Sequence, residues 1–163
     1  MLRVLFVCTG NIFRSLTAEY ALRRVLGASS EIVVGSAGTE DFPYVVRPVV
    51  ADYLLTHGLD VSGHQRRTLT PSLLQEARLV IAMSTEHRAE LAERFGRRDV
   101  PLFMEACGLP SAPLPDIEEV IPDFATNAAA VEAHVRMTID RIIELTPRLV
   151  DRLRVTHPGR GRG

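Results

Sequence analysis

The chain contains no lysine and no tryptophan, and all 19 of its basic residues are arginine. Without lysine there is no Schiff-base chemistry, no pyridoxal phosphate attachment and no Walker-type lysine for a nucleotide phosphate. Two cysteines in 163 residues cannot build a disulfide framework and suit a reducing, cytoplasmic compartment. A formal net charge of −1 gives no global field for nucleic acid. No apolar run reaches membrane-spanning length. The run at residues 2–7 is too short for a signal peptide and is expected to be a core strand. What remains is a chain with 46% hydrophobic and 24% charged residues, a globular composition. One domain is expected over residues 1–153, followed by a flexible basic tail over 154–163.

The apolar run stops at Cys8-Thr9-Gly10-Asn11-Ile12-Phe13-Arg14-Ser15. It reads as a buried strand, a short loop and a helix start. Cys-x5-Arg is the spacing by which one loop can wrap a tetrahedral oxyanion. Sulfur lies beneath the phosphorus, successive backbone N–H groups point inward, and a guanidinium closes the ring. A helix N-terminus favours the anion, and the same field favours the nucleophilic thiolate of Cys8. Arg14 can hold two phosphate oxygens through its planar fork. Asn11 suits a left-handed backbone position, and Ser15 is a good N-cap.

Strand and helix patterns alternate along the chain, which predicts an α/β fold with a four-stranded parallel sheet flanked by helices. Strands are expected at about 2–8, 32–35, 78–83 and 100–103. Helices are expected from Ser15 to Gly27, from Pro48 to Gly58, after Thr70-Pro71, from Ser84 to about Arg94, and from Asn127 to about Leu153. Residues 104–124 form the longest irregular stretch, rich in proline and acid, and a loop of that length is usually functional or disordered.

The segment Cys8 to Ser15 resembles the phosphate-binding loop of the low-molecular-weight protein tyrosine phosphatases, Cys-x-Gly-Asn-x-Cys-Arg-Ser. Ser36-Ala37-Gly38-Thr39, His57 to His64, and Leu79 to Met83 resemble further segments of that family, to about residue 153 in all. The resemblance implies that Thr9, Gly10, Asn11, Ile12, Phe13, Arg14 and Ser15 cradle phosphate over the nucleophile Cys8. It implies that Ser36 and His64 hold Asn11, and that Ser15 helps the thiolate leave phosphorus. It offers Phe42 and Tyr44 on one side of the pocket, and Phe124 on the other, as walls for the substrate ring. Ile12, where phosphoarginine phosphatases of the family carry Thr, favours phosphotyrosine. Phe13 replaces the family's second loop cysteine, so no vicinal disulfide can protect Cys8, and over-oxidation would be irreversible.

A cysteine phosphatase needs a carboxylic acid to protonate the departing oxygen. The family carries it on an Asp-Pro-aromatic motif before the last helix, and this chain has no Asp-Pro dipeptide. Asp123, in Ile121-Pro122-Asp123-Phe124, is the first candidate. Asp116, after Pro115, is its rival, farther from the helix.

The leading expectation is a metal-independent, cofactor-free phosphate monoester hydrolase, a protein tyrosine phosphatase with a phosphocysteine intermediate. Its partners would be a phosphotyrosine protein or another phosphomonoester, with no nucleic acid or membrane, in a monomer or weak homodimer. A phosphatase of a small phosphorylated metabolite and a phosphate-binding regulatory module without turnover stand as alternatives. Arsenate reduction on the same fold would need further cysteines, and only Cys107 remains.

Overall fold

The computed structural model describes residues 1–158. Three parallel strands, β1 (Leu2–Cys8), β2 (Ile32–Gly38) and β3 (Leu79–Ala82), form a sheet in the order β2-β1-β3. The register pairs Cys8 with Gly38 and Val7 with Ala82. Where a fourth strand is expected, a single parallel bridge joins Ala82 to Leu102. The Pro101 carbonyl accepts from Ala82 N at 3.0 Å, but Pro101 has no N–H to extend a ladder. The chain then enters a short helix at Phe103.

β1 is a nearly continuous apolar run because both faces of the sheet are covered. Val4, Phe6 and Cys8 point to one side, where they pack with Ile81, Met83, Phe103, Ile142 and Leu149. Leu5 and Val7 point to the other side, among Ala37, Val80, Leu91 and Leu102. This is the two-residue alternation of a strand. Arg3, at the open end of β1, pairs with Glu76.

The helices are α1 (Arg14–Leu26), α2 (Pro48–Thr56), α3 (Pro71–Glu76), α4 (Thr85–Phe95), α5 (Phe103–Ala106), α6 (Ile117–Val120) and α7 (Ala128–Thr156). Proline opens α2 and α3 at their first turns, and the Thr70 hydroxyl caps α3 by accepting from Leu73 N. Asn127 caps α7. The stripe Val131, Val135 and Ile139 of α7 packs against Leu16 of α1 and Val50 and Leu54 of α2. Each side chain of this size, fully buried, contributes roughly 1.5–3 kcal/mol.

Two boundaries differ from expectation. α7 continues through Pro147 to Thr156, so Arg154 belongs to a helix and not to a tail. Residues 159–163 lie outside the described residues. α1 starts one residue early: Phe13 occupies the N-cap position without a side-chain cap. Ser15 lies inside the helix, and its hydroxyl serves another purpose. No helix among the described residues is long and apolar enough to cross a membrane.

Candidate active site

The loop between β1 and α1 is held from outside through its carbonyl groups. Cys8 O accepts from Thr39 N at 2.9 Å and Thr9 O from Glu40 N at 3.1 Å. Gly10 O accepts from Arg66 Nε at 3.0 Å, and Asn11 O from His64 Nε2 at 2.9 Å. All peptide bonds among the described residues are trans, so each following N–H points opposite to its carbonyl. Four outward carbonyls therefore turn the amides of Thr9, Gly10, Asn11 and Ile12 toward the interior. The N-terminus of α1 completes this concave set of donors, a suitable cradle for an oxyanion.

Asn11 makes the turn possible. Its φ of 59° is the one positive value among the described non-glycine residues, a region that Asn tolerates better than most. Its side chain is fully engaged. Nδ2 donates to Ser36 Oγ at 2.7 Å and to Ser15 Oγ at 3.0 Å, and Oδ1 accepts from Arg67 N at 3.0 Å. Ser36 Oγ in turn donates a hydrogen bond to the buried Glu19 carboxylate. Because Asn11 Nδ2 is donor only, Ser15 Oγ accepts there, and its proton is available to Cys8 Sγ, 2.9 Å away, whenever the sulfur is the thiolate anion. The hydroxyl expected as a helix cap is thus placed to donate to the sulfur anion.

Arg14, only 1% exposed, projects from the first turn of α1 into the pocket. Nη1 donates to Leu114 O at 2.9 Å, and Nη2 pairs with Asp116 Oδ2 at 3.0 Å. The segment carrying Asp116 is fixed at several points. Leu114 N donates to Met83 O, His134 Nε2 donates to Pro115 O at 3.1 Å, and Asp116 Oδ1 accepts from Ile117 N to start α6. The resulting pocket, of about 160 Å³, has Cys8, Thr9, Gly10 and Arg14 in its lining. Ile12, Tyr44, Val45, Arg47, Asp116 and Glu118 line the rest.

The other candidate carboxylate lies elsewhere. Asp123 is exposed and closes the turn into α7. Its carbonyl accepts from Thr126 N and Asn127 N, and its carboxylate accepts from Asn127 Nδ2 at 3.1 Å. It is absent from the pocket lining, whereas Asp116 belongs to it. The distance of Asp116 from the last helix along the chain is absorbed by α6 and the turn after it.

The structure brings together all the loop residues singled out in the sequence, with Ser36 and His64 behind them. The proposed aromatic walls are only partly assembled. Tyr44 lines the pocket, and its hydrogen bond to the Glu40 carboxylate pushes its hydroxyl up to about 12. Phe42 braces Tyr44 from outside, with ring centroids 4.6 Å apart. Phe124 does not reach the pocket, because its ring packs beneath the Arg47 guanidinium, 5.5 Å away. Arg47, Glu118, Arg66 and His87 were not anticipated. His87 had a local signal: Ser84 and His87 form a reciprocal capping box at the start of α4.

Residues 3–106 match the family model described as low molecular weight phosphotyrosine protein phosphatase. A probable low molecular weight protein-tyrosine-phosphatase, EpsP of Ralstonia solanacearum, is 34% identical over 100 residues, covering 61% of this chain and 68% of that protein. Among solved structures, the YwlE arginine phosphatase with a phosphorylated active-site serine superposes with a TM-score of 0.82 at 25% identity, covering 96% of this chain and 99% of that one. The low molecular weight protein tyrosine phosphatase from T. tengcongensis gives 0.78 at 26% identity, covering 94% and 100%. The oxyanion cradle built on Cys8 and Arg14 lies wholly within the matched residues, and the chain belongs to the low molecular weight phosphotyrosine protein phosphatase family.

Proposed function

We propose that this protein hydrolyses phosphate monoesters of the phosphotyrosine type through a phosphocysteine on Cys8, with Asp116 as general acid and base. The observation that carries this reading is the pairing of Arg14 with Asp116 at 3.0 Å in a pocket that Cys8 also lines. It gathers a nucleophile, an oxyanion clamp and a proton carrier in one pocket.

An incoming phosphate dianion takes the place of the Asp116 carboxylate on Arg14 and frees that carboxyl to hold a proton. Cys8 sulfur then bonds to phosphorus as the ester P–O bond breaks, and Asp116 gives its proton to the departing oxygen. In the second step Asp116 removes a proton from water, the water oxygen bonds to phosphorus, and the S–P bond breaks. The Ser15 hydroxyl stabilises the sulfur anion that forms. Inward amides and Arg14 stabilise the transferring phosphoryl group. Ile12, Tyr44 and Val45 supply apolar and aromatic surface suited to an aryl ester.

Hydrolysis of p-nitrophenyl phosphate against pH, in EDTA and a reductant, tests this reading. Turnover is expected to vanish in Cys8→Ser, to fall about 10²- to 10⁴-fold in Asp116→Ala, and to stay near wild type in Asp123→Ala. A large fall confined to Asp123→Ala would move the acid to that residue. A phosphoarginine peptide hydrolysed faster than its phosphotyrosine counterpart would overturn the substrate class.

A further inference from the structure

The wall of the pocket facing α4 contains a hydrogen-bond chain that the mechanism above does not use. His87 is buried, 2% exposed, in the first turn of α4. Its Nδ1 lies 3.2 Å from Ser84 N and 3.0 Å from Ser84 Oγ, and its Nε2 lies 2.8 Å from Thr9 Oγ1. A backbone N–H can only donate, so Nδ1 is the acceptor. In the neutral ring the proton then sits on Nε2 and is donated to Thr9. On its other side, Thr9 Oγ1 lies 3.5 Å from Arg14 Nη2 and accepts there as well. No further hydrogen-bond partner of Thr9 Oγ1 occurs among the described residues.

Two donors aimed at one hydroxyl occupy its two lone pairs and leave its proton without a protein acceptor. Thr9 lines the pocket beside Cys8 and Arg14. We infer that the Thr9 hydroxyl is a donor to the bound phosphoryl group, and that His87, held in one tautomer by the start of α4, is the positioning residue that turns it there. This rests on the reading of Cys8 to Arg14 as a phosphate cradle. It adds to that cradle one side-chain donor, oriented by an element outside the loop. A hydroxyl free to rotate would spend part of its time as an acceptor toward the anion, where it repels. A hydroxyl whose lone pairs are occupied can only donate.

The test compares Thr9→Val, Thr9→Ser, His87→Leu and His87→Gln, singly, with His87→Leu also combined with Thr9→Val. Inorganic phosphate affinity is read from protection of Cys8 against iodoacetate, alongside kcat and KM for p-nitrophenyl phosphate. Thr9→Val keeps the shape and removes the donor, so phosphate affinity is expected to fall about tenfold, the usual scale for a hydrogen bond to a charged group. Thr9→Ser is expected to retain it. His87→Leu is expected to weaken phosphate in the parent but to add nothing once Thr9 is Val, because the two act through one hydroxyl. His87→Gln, which places an amide donor near the position of Nε2, is expected to restore binding. It also serves as the readable variant if the leucine protein does not fold. Wild-type affinity in Thr9→Val would overturn the inference. So would an equal loss from His87→Leu in both backgrounds, or failure of His87→Gln in a folded protein. Absence of phosphate protection in the wild type would instead remove the cradle reading itself.

Discussion

Cys8 and Gly38 are paired across β1 and β2, and the glycine's missing side chain is what lets the nucleophile loop close. A Cβ at Gly38 would lie 2.6 Å from Thr9 O and 3.0 Å from the Gly10 carbonyl carbon. Both are backbone atoms of the loop itself, which cannot step aside without turning its amides. Gly38→Ala is therefore expected to lower kcat/KM by about 10²-fold or more, the scale of an ångström-sized misplacement at a reacting centre. Activity near wild type, with an unchanged melting temperature, would contradict the close approach.

The Ser15 hydroxyl, 2.9 Å from Cys8 Sγ, is placed to stabilise the sulfur anion that the proposed second step releases. Ser15→Ala should slow hydrolysis of the phosphoenzyme more than its formation. The expected sign is a rapid burst of p-nitrophenol followed by a steady rate about 10²-fold below wild type, as for loss of one preorganised donor. A slow steady rate without a burst would place the effect on the first step.

Burial, and secondarily the Arg14 charge, push His87 down to about 3. In the unfolded chain the ring takes a proton near 6.5. Between those values the unfolded state holds more protons, so stability rises with pH through this window and is lost on acidification. Thermal melts from pH 7 to pH 4 should show this loss, up to about 1.4 kcal/mol per pH unit from this one group. His87→Gln should flatten that part of the curve. An unchanged slope would assign acid sensitivity to other groups.

Cys107 is buried, and burial pushes its thiol up to about 11. Both its exposure and its ionisation oppose attack at neutral pH. Iodoacetate at pH 7 is expected to label one cysteine in the native protein, Cys8, and none in Cys8→Ser. Labelling of Cys107 at a comparable rate before unfolding would show that the core around it opens.

The central chemistry was legible because it is local. Strand, loop and helix follow one another over residues 2–26, and the loop's spacing fixes its own closure. The proton carrier was harder to read because it depends on how residues 113–127 fold back. Pro122-Asp123-Phe124 preserves more of the expected pattern, but Asn127 draws Asp123 into a helix cap. Asp116 is drawn to the pocket by its own pairing with Arg14 and by the bonds of Pro115 to His134 and of Leu114 to Met83, none of them a neighbour in the chain. The fourth strand shrank to one bridge for a local reason, the proline at 101. His87 was hidden for the opposite reason. Its place in the first turn of α4 follows from the helix start at Ser84, but its contact with Thr9 spans 78 positions.

The four outward carbonyls of the nucleophile loop also bear on the protein's stability. Holding amides in a concave array without a protein acceptor is a standing burden on the folded state, one that a sequence selected only for durability would remove. An anion that fills the array relieves it and binds the folded form alone. Under the proposed function, phosphate in a buffer is expected to act as a folding ligand as well as a competitive inhibitor, raising the melting temperature with its concentration by mass action. Heat resistance and catalytic availability would then move in opposite directions as phosphate is added, because the anion that stabilises the fold also fills its pocket.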